Sequence, residues 1–119
     1  MIDLIPFTDT RVIGLRISGK VRKEQYAEIE KICDERLKIH PKLRIYCEFH
    51  NFKGITLPAL MEDIRYSLPN LTRFEKEALV ADKGWITKFA EIGNKVFHSI
   101  DVKHFLPEEK EDAFAWIQE

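Results

Sequence analysis

The stretch EFHNFKGITLPALMEDI, from Glu48 to Ile64, decides the fold because it joins a predicted strand to a predicted helix. Alternating apolar residues predict that the strand runs from Leu43 to Phe49 and is followed by a short polar loop. The helix is expected to open on Thr56, a residue type that caps helix N-termini. In α/β proteins such a junction is where ligands usually bind. The stretch therefore raises three alternatives, namely a catalytic group, a phosphorylated switch or a helix cap alone.

The rest of the chain alternates strand and helix signals, which predict the element order ββαβαβαβα. The other predicted strands are Ile2 to Phe7, Arg11 to Ile17, Glu77 to Asp82 and Ile100 to Phe105. The predicted helices are Lys23 to Ile39, Leu57 to Leu68, Trp85 to Phe97 and a last helix that begins near Pro107. Because strands joined by helices pair in parallel, we expect an α/β fold with a mixed sheet of about five strands, the first one antiparallel.

Charged side chains alternate with apolar ones in the second, third and last predicted strands. They are Arg16, Arg44, Glu48, Asp101 and Lys103. A sheet covered by helices on both faces would have continuous apolar strands instead. The pattern therefore predicts helices mainly on one face, and an opposite face that contacts solvent or a second subunit in a homodimer.

The composition is that of a globular domain. The 119 residues are 45% apolar and 33% charged, and they predict a single domain over residues 1–119. No apolar run approaches the roughly 18 residues that span a bilayer, and the N-terminus lacks the pattern of an export signal. We therefore expect a cytoplasmic protein that is not an integral membrane protein. A net charge of −1, with scattered basic residues, argues against a nucleic-acid surface and favours small ligands or proteins as partners.

The two cysteines, Cys33 and Cys47, fit neither a redox nor a metal motif. The chain has no CxxC pair and no histidine at zinc-finger spacing. Both cysteines fall on predicted apolar faces, so we expect them to be reduced, buried and unbridged. No metal site and no cofactor are expected.

Three stretches carry a resemblance to a known family: NFKGIT, ALVADKGWITKF and VKHFLPEEKEDAFAWI. Together with the element order, they make essentially the whole chain resemble the bacterial SpoIIAA-like (STAS-like) family, and VADKGW and EDAFAWI are the strongest pieces. The resemblance implies a fold shared with anti-sigma-factor antagonists and with lipid-carrier domains of the CRAL-TRIO type. It implies no established enzymatic activity.

The resemblance bears directly on Thr56. In antagonists of the sporulation type, a serine at the start of the helix after the third strand, usually preceded by Asp, is the phosphorylation target. Residues Asn51 to Leu57 contain no serine, and Thr56 is the only hydroxyl there. Thr56 is thus either an N-cap, worth about 1 kcal/mol, or a phosphoacceptor in place of the serine. Cap chemistry alone accounts for the residue, so we favour the cap.

No known catalytic motif occurs in the chain, so we expect no enzyme. His50 ends the third predicted strand and Asp82 ends the fourth, at the edge where α/β folds bind ligands. A pair of His50 and Asp82 could bind a polar head group or orient a water molecule. The alternative is that both residues are solvated strand ends.

Aromatic side chains gather near the carboxyl ends of the strands and on the third predicted helix: Phe49, Phe52, Phe74, Trp85, Phe89 and Phe97. Such residues line pockets for apolar ligands, but at helical spacing they also form ordinary core. Phe52 lies in the predicted polar loop, where an exposed ring indicates a lid or a contact surface. Phe52, Trp85 and Phe89 therefore join His50 and Asp82 as candidate ligand-binding residues.

Two classes of function stay open. The first is a non-enzymatic binding domain for a small apolar or lipid-like ligand, which a closed cavity between the third helix and the sheet would favour. The second is a protein-interaction regulator of the anti-sigma-factor-antagonist type, with Thr56 in place of the serine. A solvent-facing Thr56 on the surface of the second helix would favour this alternative.

Overall fold

The computed structural model describes residues 1–84 and 100–119. The described strands are β1 (Ile2–Ile5), β2 (Val12–Val21), β3 (Leu43–Ile55), β4 (Phe74–Val80) and β5 (Asp101–Phe105). They form a five-stranded sheet in the order β1-β2-β3-β4-β5. β1 is antiparallel to β2, and the other neighbours are parallel. The predicted mixed α/β sheet is confirmed, whereas the predicted helix from Trp85 to Phe97, with the candidate residue Phe89, lies outside the described residues.

The described helices pack on both faces of this sheet. They are α1 (Tyr26–Leu37), α2 (Leu57–Ser67) and α3 (Lys110–Gln118), with 3-10 turns at Lys23–Gln25, Leu68–Arg73 and Pro107–Glu109. Cys33 of α1 and Tyr66 of α2 pack on the same apolar cluster of the sheet, which contains Ile13 and Cys47. Two of the three described helices therefore lie on one face. None of the described helices is long and apolar enough to span a membrane.

Both cysteines belong to the core beneath α1 and α2. Cys33 and Cys47 are buried and free, which confirms the prediction of two unbridged thiols. Burial raises the pKa of the Cys33 thiol to about 12 and that of Cys47 well above its ordinary value. Both thiols are therefore protonated at neutral pH, and neither is a nucleophile.

The opposite face is covered at its centre by α3, and here the expectation of a wet face is wrong. Arg44 and Glu48 are buried, with 7% and 1% of their surface exposed. Arg44 donates to the backbone carbonyl of Ile117 at 2.8 Å, and Glu48 pairs with Lys110. Arg44 thus contacts the last turn of α3, and Glu48 contacts its first turn. Charged groups are stable under this helix because the helix itself supplies their partners.

The apolar face of α3 explains why it returns to the sheet. Ala113 and Ile117 are fully buried, and they pack with residues of four strands: Ile5, Val12, Tyr46, Ala78 and Val80. Phe114 adds an aromatic contact, since its ring stacks on Tyr46 with 4.6 Å between centroids. Burying this apolar surface is the main favourable term that holds α3 in place.

β3 is longer than predicted, and it runs through the residues that the sequence placed in a polar loop. It continues to Ile55 because β2 also continues, to Val21, so that each strand supplies backbone partners to the other. Asn51 has a φ of 50° and no partner in the register, which is the geometry of a bulge. The extra residue interrupts the alternation of side chains. Phe52 therefore contacts Phe49, with 5.4 Å between ring centroids.

Candidate functional site

α2 begins where the sequence predicts, directly after Thr56. The side-chain oxygen of Thr56 accepts a hydrogen bond from the backbone N–H of Ala59 at 3.3 Å, and its own backbone is extended. The N-cap prediction is thereby confirmed. Thr56 is partly exposed, so it lies at the surface end of the helix that it caps.

The outer face of α2 is apolar and exposed. Its large side chains recur at helical spacing and are between 41% and 68% exposed: Leu57, Leu60, Met61, Ile64 and Leu68. We call these five residues the α2 stripe. Ala59, on the inner side of the helix, is fully buried, so the helix is packed on the sheet and still exposes an apolar face. Exposed apolar patches of this kind are common at the interaction sites of proteins.

A groove runs between α1 and α2, and charged side chains line most of it. Glu30 of α1 lies 3.6 Å from Arg65 of α2, which also pairs with Glu62. Burial, together with the nearby Glu62 carboxyl, raises the pKa of Glu30 to about 7. The hydrogen bond from Arg65 lowers the pKa of Glu62 to about 2. At neutral pH Glu62 is therefore ionised and Glu30 is only partly ionised, and the groove suits polar groups.

A second set of polar side chains lies on the other face, beside the first turn of α3. Oε1 of Glu48 lies 3.0 Å from Nε2 of His50 and 3.2 Å from Nζ of Lys110. Tyr46 precedes Glu48 by two residues on β3, so their side chains share a face. We call Tyr46, Glu48, His50 and Lys110 the Glu48 cluster. His50 is 55% exposed, so the cluster connects a buried carboxylate to the surface.

The ionisation of the Glu48 cluster follows from its contacts. Burial alone would raise the pKa of Glu48, but the contacts with His50 and Lys110, together with the nearby hydroxyl of Tyr46, outweigh it and lower the pKa below its ordinary value. Burial, reinforced by the charge of Glu48, raises the pKa of Tyr46. At neutral pH the cluster therefore contains an ionised Glu48 and a protonated Tyr46.

The predicted ligand residues are distributed over both faces of the sheet. His50 pairs with Glu48 on the α3 face, while Phe52 contacts Phe49 on the α1 and α2 face. Asp82 is exposed. Trp85 and Phe89 lie outside the described residues, so the five-residue ligand site stays a prediction. Within residues 1–84 and 100–119, no three His, Cys, Asp or Glu side chains are grouped to hold a metal ion.

Sequence reasoning missed Glu48 and Lys110 as members of a site. One signal was present, because Glu48 and His50 are two residues apart in a strand and must share a face. The contribution of Lys110 had no such signal. It depends on the way α3 returns across the sheet, which local periodicity does not report.

Comparisons with known proteins agree with this fold. The family model described as SpoIIAA-like matches residues 12–118. An uncharacterized protein of the DUF3478 family from Shewanella loihica PV-4 has a crystal structure with a SpoIIAA-like fold and a TM-score of 0.78 to this chain. The two are 19% identical, over 98% of this chain and 92% of that chain, so the likeness shows the shared fold alone. No functionally curated protein matches the chain.

Proposed function

Since the chain belongs to the SpoIIAA-like family, we propose that it is a non-enzymatic binding domain that docks a protein partner on the α2 stripe. The observation that carries the proposal is the exposure of this stripe on a helix whose opposite side is packed on the sheet. Covering large apolar side chains with a partner removes them from water, which stabilises the complex by about 25 cal/mol per Å² of apolar surface buried.

The shape of the stripe favours an apolar protein surface as the partner. From Leu57 to Leu68 the stripe extends over about 16 Å of helix, at roughly 1.5 Å per residue. Anchor residues at positions i, i+3, i+4 and i+7 are the pattern by which a helix enters an apolar groove of another protein. The partner is therefore expected to present an apolar groove or a second apolar helix.

A small apolar ligand is the second candidate for this protein. It is supported by the contact between Phe49 and Phe52 on the face that carries α2. Against it, the stripe lies on the convex surface of a helix, and the neighbouring groove is lined with charges. Ligand pockets are concave and largely apolar. The geometry of the described residues therefore favours the protein-interaction regulator over the lipid-like binder.

Thr56 offers a way to regulate the proposed docking. A phosphate on Thr56 would carry about −1.5 to −2 charges next to Leu57, at the edge of the α2 stripe. The N-terminus of α2 would stabilise that charge, so the helix would persist. An apolar partner would instead have to desolvate the phosphate. Phosphorylation is therefore expected to release the partner without unfolding α2.

A site-specific photo-crosslinking experiment tests the proposal. A photoreactive amino acid is placed at Met61 in the α2 stripe, and in a control protein at Ile39, an equally apolar residue that is 76% exposed after α1. We expect a discrete protein adduct from Met61 that is absent from Ile39. The partner identified by mass spectrometry is then purified, and Leu60→Glu should abolish its binding while Ile39→Glu should not. Adducts that are the same at both positions would refute the proposal.

The second candidate has its own measurement. Titration with a fluorescent fatty-acid analogue is followed for the wild type, Phe52→Ala and Leu60→Glu. Saturable binding that Phe52→Ala abolishes, together with no protein adduct at Met61, would replace the protein partner by a lipid-like ligand.

A further inference from the structure

The spacing of the α2 stripe is the same in both directions along the helix. Leu57, Met61, Ile64 and Leu68 are separated by steps of four, three and four residues. Steps of three and four are those of the seam positions a and d in a coiled coil, where apolar residues of two helices interlock. Because the order of the steps is symmetric, the stripe matches a copy of itself that runs in the opposite direction.

A two-fold axis midway between residues 62 and 63 produces this match. It places Leu57 of one copy opposite Leu68 of the second copy, and Met61 opposite Ile64. In a two-fold dimer every such contact occurs twice, so all four layers of the seam are apolar. A parallel pair would instead place two helix N-termini, which carry like partial charges, side by side.

We propose that the α2 stripe packs antiparallel on the α2 stripe of a second copy of this chain and forms a homodimer. The inference rests on the proposed function, because it names the partner that docks on the stripe.

The polar residues beside the stripe are compatible with this pairing. On one flank, Arg65 has a side chain that is 67% exposed, and it pairs with Glu62 of its own helix. At about 1.5 Å per residue, the two-fold axis brings Arg65 of one copy within about 3 Å, along the helix axis, of Glu62 of the second copy. On the other flank, Ser67 is uncharged and Asp63 is partly buried. Opposite charges therefore meet on the one charged flank.

The area of the stripe is that of a small specific interface. Its five side chains are between 41% and 68% exposed, which together equals between two and three fully exposed residues. At about 200 Å² for a residue of this size, covering both stripes removes roughly 1,000 Å² from water. Specific protein interfaces begin at about this area. We therefore expect a dimer of micromolar affinity that dissociates on dilution.

Sedimentation equilibrium of the full chain measures this dimer. At about 100 μM the wild type should have twice the 14.0 kDa mass of the chain, and it should approach the single mass on about hundredfold dilution. Ile64→Glu introduces charges into the two central layers, so it should weaken the dimer by about hundredfold or more. Ile64 is 47% exposed, so this variant should keep the fold, which circular dichroism checks. Ile39→Glu, at a residue that is 76% exposed, is the control and should dimerise as the wild type does.

Disulfide crosslinking tests the direction of the two helices. A mixture of Leu57→Cys and Leu68→Cys proteins should form a crosslinked pair on mild oxidation, because the two positions lie opposite each other. Leu57→Cys alone should not, since its two copies lie about 16 Å apart along the axis and a disulfide needs Cα atoms within about 7 Å. The native Cys33 and Cys47 are buried, so they do not compete.

The outcomes separate this inference from the proposed function. A wild type that is monomeric at about 100 μM, a dimer that Ile64→Glu leaves intact, or crosslinking of Leu57→Cys alone would each overturn the homodimer. If the protein is monomeric and Met61 crosslinks to a different protein, the homodimer is wrong and docking on the α2 stripe stands. If the protein is monomeric and Met61 gives no protein adduct, both are wrong.

Discussion

The ammonium group of Lys110 lies 3.2 Å from Oε1 of Glu48, and this contact ties the first turn of α3 to the centre of β3. Removing one partner of a fully buried ion pair costs several kcal/mol, because it leaves an unpaired charge in the protein interior. Lys110 is partly exposed, so its removal should cost less stability than that. Lys110→Met keeps the aliphatic stem, and we expect it to lower the free energy of unfolding by about 1–2 kcal/mol in denaturant titration. Lys42→Met, in an exposed turn, is the control and should change it by less than about 0.5 kcal/mol.

The stability that the contact between Lys110 and Glu48 contributes should depend on pH. Despite burial, hydrogen bonds from His50 and Lys110 lower the pKa of Glu48 from 4.5. A carboxyl with a lowered folded pKa stabilises the protein above its unfolded pKa, and this stabilisation is lost as the pH falls through the folded value. The stability difference between the wild type and Lys110→Met should therefore be full at neutral pH and shrink below about pH 4. A difference that stays constant in acid would contradict the assignment.

The stability contribution of Glu77 on β4 should have the opposite dependence on pH. Burial, with a smaller effect from Asp63, raises the pKa of Glu77 to about 7. Its contribution to stability is then full below its unfolded pKa and is lost as the pH rises through about 7. We expect the melting temperature of Glu77→Gln to fall less than that of the wild type as the pH rises from about 5 to about 7. Glu111→Gln, at an exposed position of α3, should follow the wild type. Identical profiles for Glu77→Gln and the wild type would refute the shift.

The cap of α2 should have a measurable energy. Thr56→Ala removes the oxygen that accepts from the N–H of Ala59, and it should lower the free energy of unfolding by about 1 kcal/mol. Thr56→Ser keeps this oxygen and should retain most of the stability. Chemical denaturation of both variants measures the difference. If the two variants lose the same amount, the hydroxyl is not the stabilising group.

Gly14 allows β1 to approach β2 closely. A Cβ at this position would lie 2.5 Å from the carbonyl oxygen of Ile5 and 2.6 Å from the ring of Phe7. Gly14→Ala should therefore lower the free energy of unfolding by about 1–3 kcal/mol, as overpacking does. Gly84→Ala introduces the same methyl group where nothing lies within 4 Å, and it serves as the control. Equal stability of the two variants in denaturant titration would show that β1 moves away freely.

Local sequence patterns predicted the helices and strands, because their formation depends mainly on residues that are close in the sequence. The five strands and the helices of the described chain follow from periods of two and about 3.6 residues, and the N-cap from the type of residue at Thr56. The bulge at Asn51 was not predictable in this way. The bulge arises because β2 and β3 continue to pair beyond Phe49. The polar residues after Phe49 therefore extend β3 along β2 and do not form a loop.

The sequence by itself determined the α/β class, the order of the strands along the chain and the burial of Cys33 and Cys47, because each depends on periodicity within one segment. Only the tertiary structure decided which charged strand residues are buried. Arg44 and Glu48 alternate with apolar neighbours as exposed residues do, yet α3 covers both and supplies a carbonyl to one and Lys110 to the other. A contact between residues so far apart in the chain leaves no local pattern, so the polar site on this face could be found only in the folded molecule.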